Sequence, residues 1–139
     1  MTAIGYIVLT FFFIGIVVIN FAMNEGQGPL QPKRYRGVVA YVCDGDSLTL
    51  RGGMSCGIRL WGVDAPEKGQ NGSERAKIAL QRLAENQPVT FVKMDTDRHG
   101  RTVARIFLKD GREINRMMIE SGAAKEFFRY SKGFYSTGS

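Results

Sequence analysis

Residues 3–23 read AIGYIVLTFFFIGIVVINFAM, an apolar run in which Thr10 and Asn20 are the clearly polar side chains. Beyond it the pattern shortens and begins to alternate. Residues 35–42 (YRGVVAYV) are dense in branched and aromatic side chains and are broken by the turn DGDS. SLTLR over 47–51 alternates apolar and polar, Gly52-Gly53 turns the chain, and GIRLWGV over 57–63 predicts a third strand. The period then lengthens. Within 71–86, Ala76, Ala79, Leu80 and Leu83 recur at i, i+3, i+4 and i+7, and Ser73 is placed to cap a helix. Strands are predicted over 88–94 and 102–108, the second reaching the tight-turn pair Asp110-Gly111. A second helix is predicted over 113–121, with Gly122 as its stop.

Three strands, a helix, two strands and a helix describe a mainly β chain with α elements. The order fits a five-stranded barrel of the OB type with flanking helices. Its domain is expected over 35–139, after a Gly/Pro/Gln-rich linker over 24–34 and an apolar segment over 1–23. At about 1.5 Å per residue, about 20 residues cross a bilayer core, so residues 3–23 are expected to form a single membrane anchor. A cleaved signal peptide, which would make the protein secreted, is the rival. It would carry basic residues ahead of a shorter run and a small-x-small cleavage site, whereas here no Lys or Arg precedes the run.

Every formal charge lies after Met23, so the remaining chain carries the whole +6, from 19 basic and 13 acidic residues. That surplus suits a polyanion such as nucleic acid or anionic lipid, although a merely solvated basic surface accounts for it equally well. Lys33, Arg34 and Arg36 follow the apolar run and argue for a cytoplasmic domain. Cys43 and Cys56 are too few for a disulfide scaffold, and whether they pair is open. His99 has no neighbour at zinc-ligand spacing.

Four charged pieces remain: Asp44-Gly45-Asp46, Arg59, Asp64-Ala65-Pro66-Glu67, and the run from Asp95 to Arg101. Each alone reads as a turn or a wet loop. Together they make a chemistry. The turn after the first strand and the exit of the third can lie side by side in a barrel. Asp46 and Asp64 would then offer hard oxygens to one cation of the Ca²⁺ or Mg²⁺ kind. Arg59 and Arg101 are forks matched to phosphate oxygens, and Glu67 is a carboxylate able to accept a proton from water. These are parts for phosphodiester hydrolysis.

From about Arg36 to Tyr130, the ordered set VxDGDSLTL, IRLWGVDAPE, Glu74 to Lys77 on a helix, DRHGR and DGREIN resembles the staphylococcal nuclease (thermonuclease) family. The resemblance implies an OB-fold, Ca²⁺-dependent endonuclease that cuts DNA and RNA to 3′-phosphate products. It implies Asp46, Asp64 and the backbone carbonyl of Ala65 as metal ligands, Arg59 and Arg101 on phosphate, and Glu67 as general base. His99, Phe128 and Tyr130 match positions that line the nucleotide pocket, with His99 and Phe128 standing where the family has tyrosines. The tail SKGFYSTGS stands where a last helix is expected, and Phe127, Phe128, Phe134 and Tyr135 are candidates to fold back as a partial lid. A monomer is expected, with its domain on the extracytoplasmic side, because weak carboxylate sites suit the higher Ca²⁺ outside cells and a nuclease beside its own chromosome would be a hazard. The alternative reading is a nucleic-acid-binding barrel without catalysis, since related domains lose acidic residues that this chain keeps.

Overall fold

The computed structural model describes residues 29–137. The expectations placed on residues 3–23 therefore lie outside the described residues. Among the described residues, no helix is long and apolar enough to cross a membrane.

Among the described residues, seven strands and three helices follow in the order β1 (Arg34–Asp44), β2 (Ser47–Leu50), β3 (Ile58–Leu60), β4 (Val63–Asp64), α1 (Ser73–Ala84), β5 (Pro88–Thr96), β6 (Thr102–Leu108), α2 (Ile114–Glu120), β7 (Lys125–Glu126) and α3 (Phe128–Ser131). Five of the strands close a barrel in the order β1-β2-β3-β6-β5, and β4 pairs with β7 in a separate ribbon. All barrel pairings are antiparallel except β3 with β6, which run parallel. The five-stranded barrel with flanking helices is thus the architecture that the alternation predicted.

One predicted strand divides. Residues 57–63 carry strand-forming side chains throughout, but Gly62 adopts φ 68° and turns the chain between β3 and β4. That left-handed conformation is open to glycine at little cost. The helix start also differs. Gly72, at φ 87°, is the N-cap of α1, and Ser73 is the first helical residue with no side-chain cap bond. A glycine tolerated in the left-handed region displaced the better side-chain capper.

The core is built from the inward positions of the strands, among them Val39, Leu48, Leu60, Ala104 and Ile106, and closed by Ala76, Leu80 and Ala84 of α1. Ala76, Leu80 and Ala84 recur every four residues on one face, and the two alanines let α1 lie close on the barrel. Gly45 records how close, since a Cβ there would fall 2.6 Å from that of Ala76 and 2.7 Å from that of Ala65. The Asp44–Asp46 turn is thereby held between α1 and Ala65, the residue that follows β4. A second tie is Asn115, fully buried in α2. Its Oδ1 accepts the Ile106 N–H at 2.9 Å, and its Nδ2 donates to the carbonyls of Trp61 and Ala104 at 2.9 and 3.0 Å. A buried amide satisfied three times fixes the β3–β4 turn against β6, because any slip would strand a polar group without water.

Cys43 and Cys56 form a disulfide with Cα atoms 5.9 Å apart. It joins the end of β1 to the loop before β3, so the β2 hairpin and its acidic turn lie inside the closed ring.

The tail folds back. Tyr135 is buried with its hydroxyl donating to Glu113 at 2.6 Å, and Glu113 also holds Arg105 through two bonds of 2.8 Å. Burial and the neighbouring Glu113 carboxylate push the Tyr135 phenol far above its ordinary range. Phe134 and Tyr135 pack on Trp61 with ring centroids 5.5 and 5.9 Å away. Phe128 takes no part and stays exposed.

Candidate active site

β3 explains Arg59. Ile58 and Leu60 point into the barrel, so the residue between them points out, and the register sets it opposite Ser47, next to Asp46. Arg59 Nη1 meets Asp46 Oδ1 at 2.6 Å, and Nη2 donates to the Val63 carbonyl at 3.2 Å. The other Asp46 oxygen accepts the Ala65 N–H at 3.1 Å. The turn beneath is braced by Asp44, whose Oδ1 accepts the Asp46 N–H at 3.0 Å and the Ser47 hydroxyl.

The electrostatics of this pair are unbalanced. Burial acts to lower the Arg59 guanidinium, but the carboxylates of Asp46, Asp64 and Asp44 outweigh it and hold it above its ordinary value. Burial also lifts the Asp46 carboxyl above its ordinary value, with Arg59 opposing and Asp44 adding to the rise. The two shifts favour the charged arginine and disfavour the charged aspartate. A 2.6 Å contact is that of a charged pair, and burial is the first cause of the Asp46 rise.

Across the cleft, the loop between β5 and β6 is organised by Asp97. One of its oxygens accepts the backbone N–H groups of His99 and Arg101 at 2.9 and 3.0 Å, and the other accepts Arg101 Nε at 2.6 Å. Desolvation opposes the charged form, but these donors prevail and hold the carboxyl below its ordinary value. Asp97 is therefore a clamp that sets the direction of the Arg101 fork.

One cleft of about 640 Å³ gathers Asp46, Arg59, Glu67, His99, Arg101 and Tyr130. Asp64 and Ala65 line an adjoining hollow of about 430 Å³, which Glu67 also borders. Asp64 nevertheless lies close enough to act on the charge of Arg59. Phe128 is not among the residues lining the cleft. It opens α3 with its ring exposed, and Phe127 and Tyr130, whose rings lie 5.1 Å apart, take the cleft wall instead. Phe127, the residue before α3, and Tyr130 within it stand three positions apart and so share one face of the turn. Sequence reasoning did not assign cleft positions to Asp44, Phe127 and Arg129, nor the clamp to Asp97. The Asx-turn spacing of Asp97 to His99 was the available signal for the clamp.

Residues 57–137 match the family described as staphylococcal nuclease homologue. The chain belongs to the staphylococcal nuclease family. This staphylococcal nuclease homologue is 31% identical over 96 residues to an uncharacterized endonuclease of Escherichia coli, an alignment covering 68% of the chain and 63% of that protein. It is 32% identical over 107 residues to a micrococcal nuclease of Shigella flexneri, covering 70% of the chain and 62% of that protein. It is also 31% identical over 135 residues to the succinoglycan biosynthesis protein ExoI of Rhizobium meliloti, covering 89% of the chain and 68% of that protein. The staphylococcal nuclease homologue thus spans about three fifths of the first two relatives.

The donor set suits a hard cation. Asp46, Asp64 and the Ala65 carbonyl, the residues that could hold one, supply oxygen only. Among the described residues, no three His, Cys, Asp or Glu side chains converge into a closed cage. Two carboxylates and one carbonyl leave most of the 6–8 positions of Ca²⁺ to water or substrate.

Proposed function

We propose that this chain is a calcium-dependent endonuclease that hydrolyses DNA, and RNA as well, to 3′-phosphate products. The observation that carries the reading is the convergence of Arg59, Arg101, Glu67 and Asp46 on one cleft, in a chain of this family. Arg59 and Arg101 hold the scissile phosphate from two sides and neutralise charge that develops on its free oxygens. Glu67 accepts the proton of the attacking water, which fits its place where cleft and metal-side hollow meet. His99, Phe127 and Tyr130 give ring surface for a base. Asp46, Asp64 and Ala65 would hold Ca²⁺, which when bound supplies charge neutralisation and orients water. The test is degradation of single-stranded DNA by the full chain in neutral detergent, with Ca²⁺ and with chelator. Cleavage only with Ca²⁺ is expected. Equal cleavage under chelation refutes the metal requirement, and none under either condition favours a binding module.

For the part of the chain outside the described residues, we propose a single-pass membrane anchor over 3–23 and an extracytoplasmic domain over 35–139. The Cys43–Cys56 disulfide supports that side, since such bonds persist in oxidising compartments. Protease added to intact cells should remove the domain, and full protection would overturn the placement.

A further inference from the structure

A second basic surface lies at the other end of the same two strands that carry the active cleft. β5 and β6 reach the cleft through Thr96 and Val103. Their opposite ends, with the start of β1, border a groove of about 710 Å³ that includes Arg34, Arg36, Pro88, Thr90, Phe107 and Lys109. Its lining contains no carboxylate. The nearest acids are engaged: Asp110 by Arg112 at 2.8 Å, and Glu113 by Arg105 and Tyr135. Among the described residues, no ion pair involves Arg34, Arg36 or Lys109, and all three side chains are exposed.

The arrangement follows from strand geometry. Alternate residues of a strand share a face, so Arg34 and Arg36 stand side by side on β1, with Arg36 paired to Thr90 and Thr90 paired to Phe107. The Arg34 guanidinium lies over the Phe107 ring at 4.8 Å, which holds it in place without neutralising it. Stacking of this kind cuts the rotamer freedom that an arginine loses on binding, and leaves its donors free for phosphate oxygens. Three unneutralised cations on a fixed surface are poor for stability, because like charges repel. They are suited to a polyanion.

We propose that this groove is an exosite for the sugar-phosphate backbone of a nucleic-acid strand whose scissile bond occupies the cleft. The proposal rests on the nuclease reading and adds a second point of attachment to it. Val103 in β6 and Lys109 just past its end are six positions apart, a path of about 20 Å at about 3.3 Å per residue. With one phosphate per about 3.4 Å of a helically stacked strand, about six nucleotides bridge cleft and groove, and fewer when the strand is extended. Short oligonucleotides reach only the cleft, whereas long strands engage both.

The experiment measures binding of fluorescein-labelled dT4 and dT24 to the full chain in neutral detergent with chelator, as a function of salt. The variants are Arg34→Gln/Arg36→Gln/Lys109→Gln, the single Lys109→Gln, and a control, Arg51→Gln/Arg75→Gln/Arg82→Gln, that removes the same charge elsewhere. A circular-dichroism melt verifies that each is folded. Each phosphate contact contributes about 0.7 to the slope of log affinity against log salt for single strands. The groove triple is expected to flatten the dT24 slope by about 2 and the single by about 0.7, with dT4 and the control triple unchanged. Equal slopes for groove triple and parent on dT24 overturn the exosite, as does an equal flattening by the control triple. Unchanged dT24 binding with lost binding to micelles doped with phosphatidylglycerol also overturns it, and assigns the groove to anionic lipid. A parallel Ca²⁺ cleavage assay keeps the two readings apart: a chain that binds dT24 through the groove but cuts nothing refutes the nuclease and not the exosite.

Discussion

Glu67→Gln is expected to lower the rate of DNA cleavage by about 10²–10⁴-fold while leaving substrate binding nearly unchanged. The substitution keeps size and polarity and removes the ability to take a proton. Glu67 is exposed, its N–H donates to Gln70 Oε1 at 2.8 Å, and among the described residues no cation is ion-paired to its carboxylate. Nothing in the fold leans on that carboxylate, so the melting temperature should stay with the parent. The measurement is single-turnover cleavage of a labelled oligonucleotide with saturating Ca²⁺, giving rate and affinity separately. A parental rate in the variant would remove Glu67 from the chemistry, and a lost affinity at unchanged rate would make it a binding group.

Arg59→Lys is expected to cost about 10²–10³-fold in rate, the range found when one charge-stabilising donor is removed from a reacting centre. Arg59 uses Nη1 for Asp46 and Nη2 for the Val63 carbonyl, so its fork is held in one plane before substrate arrives. A lysine can keep the contact with Asp46 as a point charge, but it cannot also present a planar pair of donors to phosphate. Because the positive charge remains beside the desolvated Asp46, folding should suffer less than cleavage does. Full cleavage by the lysine variant would mean that Arg59 serves only as the counter-charge of Asp46. Arg101→Lys is the matching variant across the cleft, where Asp97 sets the fork.

Most of the barrel was legible because its strands obey one rule, alternation, and are bounded by glycines and acidic turns. Ala76 and Leu80 were legible for a like reason, since their spacing shows the buried face of α1 directly. What local pattern could not show was partnership at a distance. The break between β3 and β4 depends on β4 pairing with β7, which follows it by some 60 residues, and no property of GIRLWGV announces it. Phe128 opens α3 off the cleft lining while Phe127, one position earlier, lines it, a difference that residue type alone does not show. The charged constellation was legible as a set of residue types whose burial made little sense singly. The role of Asp97 was not, because a carboxylate that organises a loop and one that merely wets it look alike until the N–H groups of His99 and Arg101 are seen to converge on it.

The ring closed by Cys43 and Cys56 has a consequence for stability. It spans 13 positions and contains the turn that carries Asp44 and Asp46. A loop of about that length is worth about 3 kcal/mol to the folded state when cross-linked, and here the gain falls on the segment whose shape decides whether Asp46 meets Arg59 and Ala65. Until the thiols are oxidised, that segment has a weaker hold on its shape. With the two thiols reduced, the folded state gives up about that much stability, and the turn that carries Asp44 and Asp46 loses its covalent tie to the loop before β3.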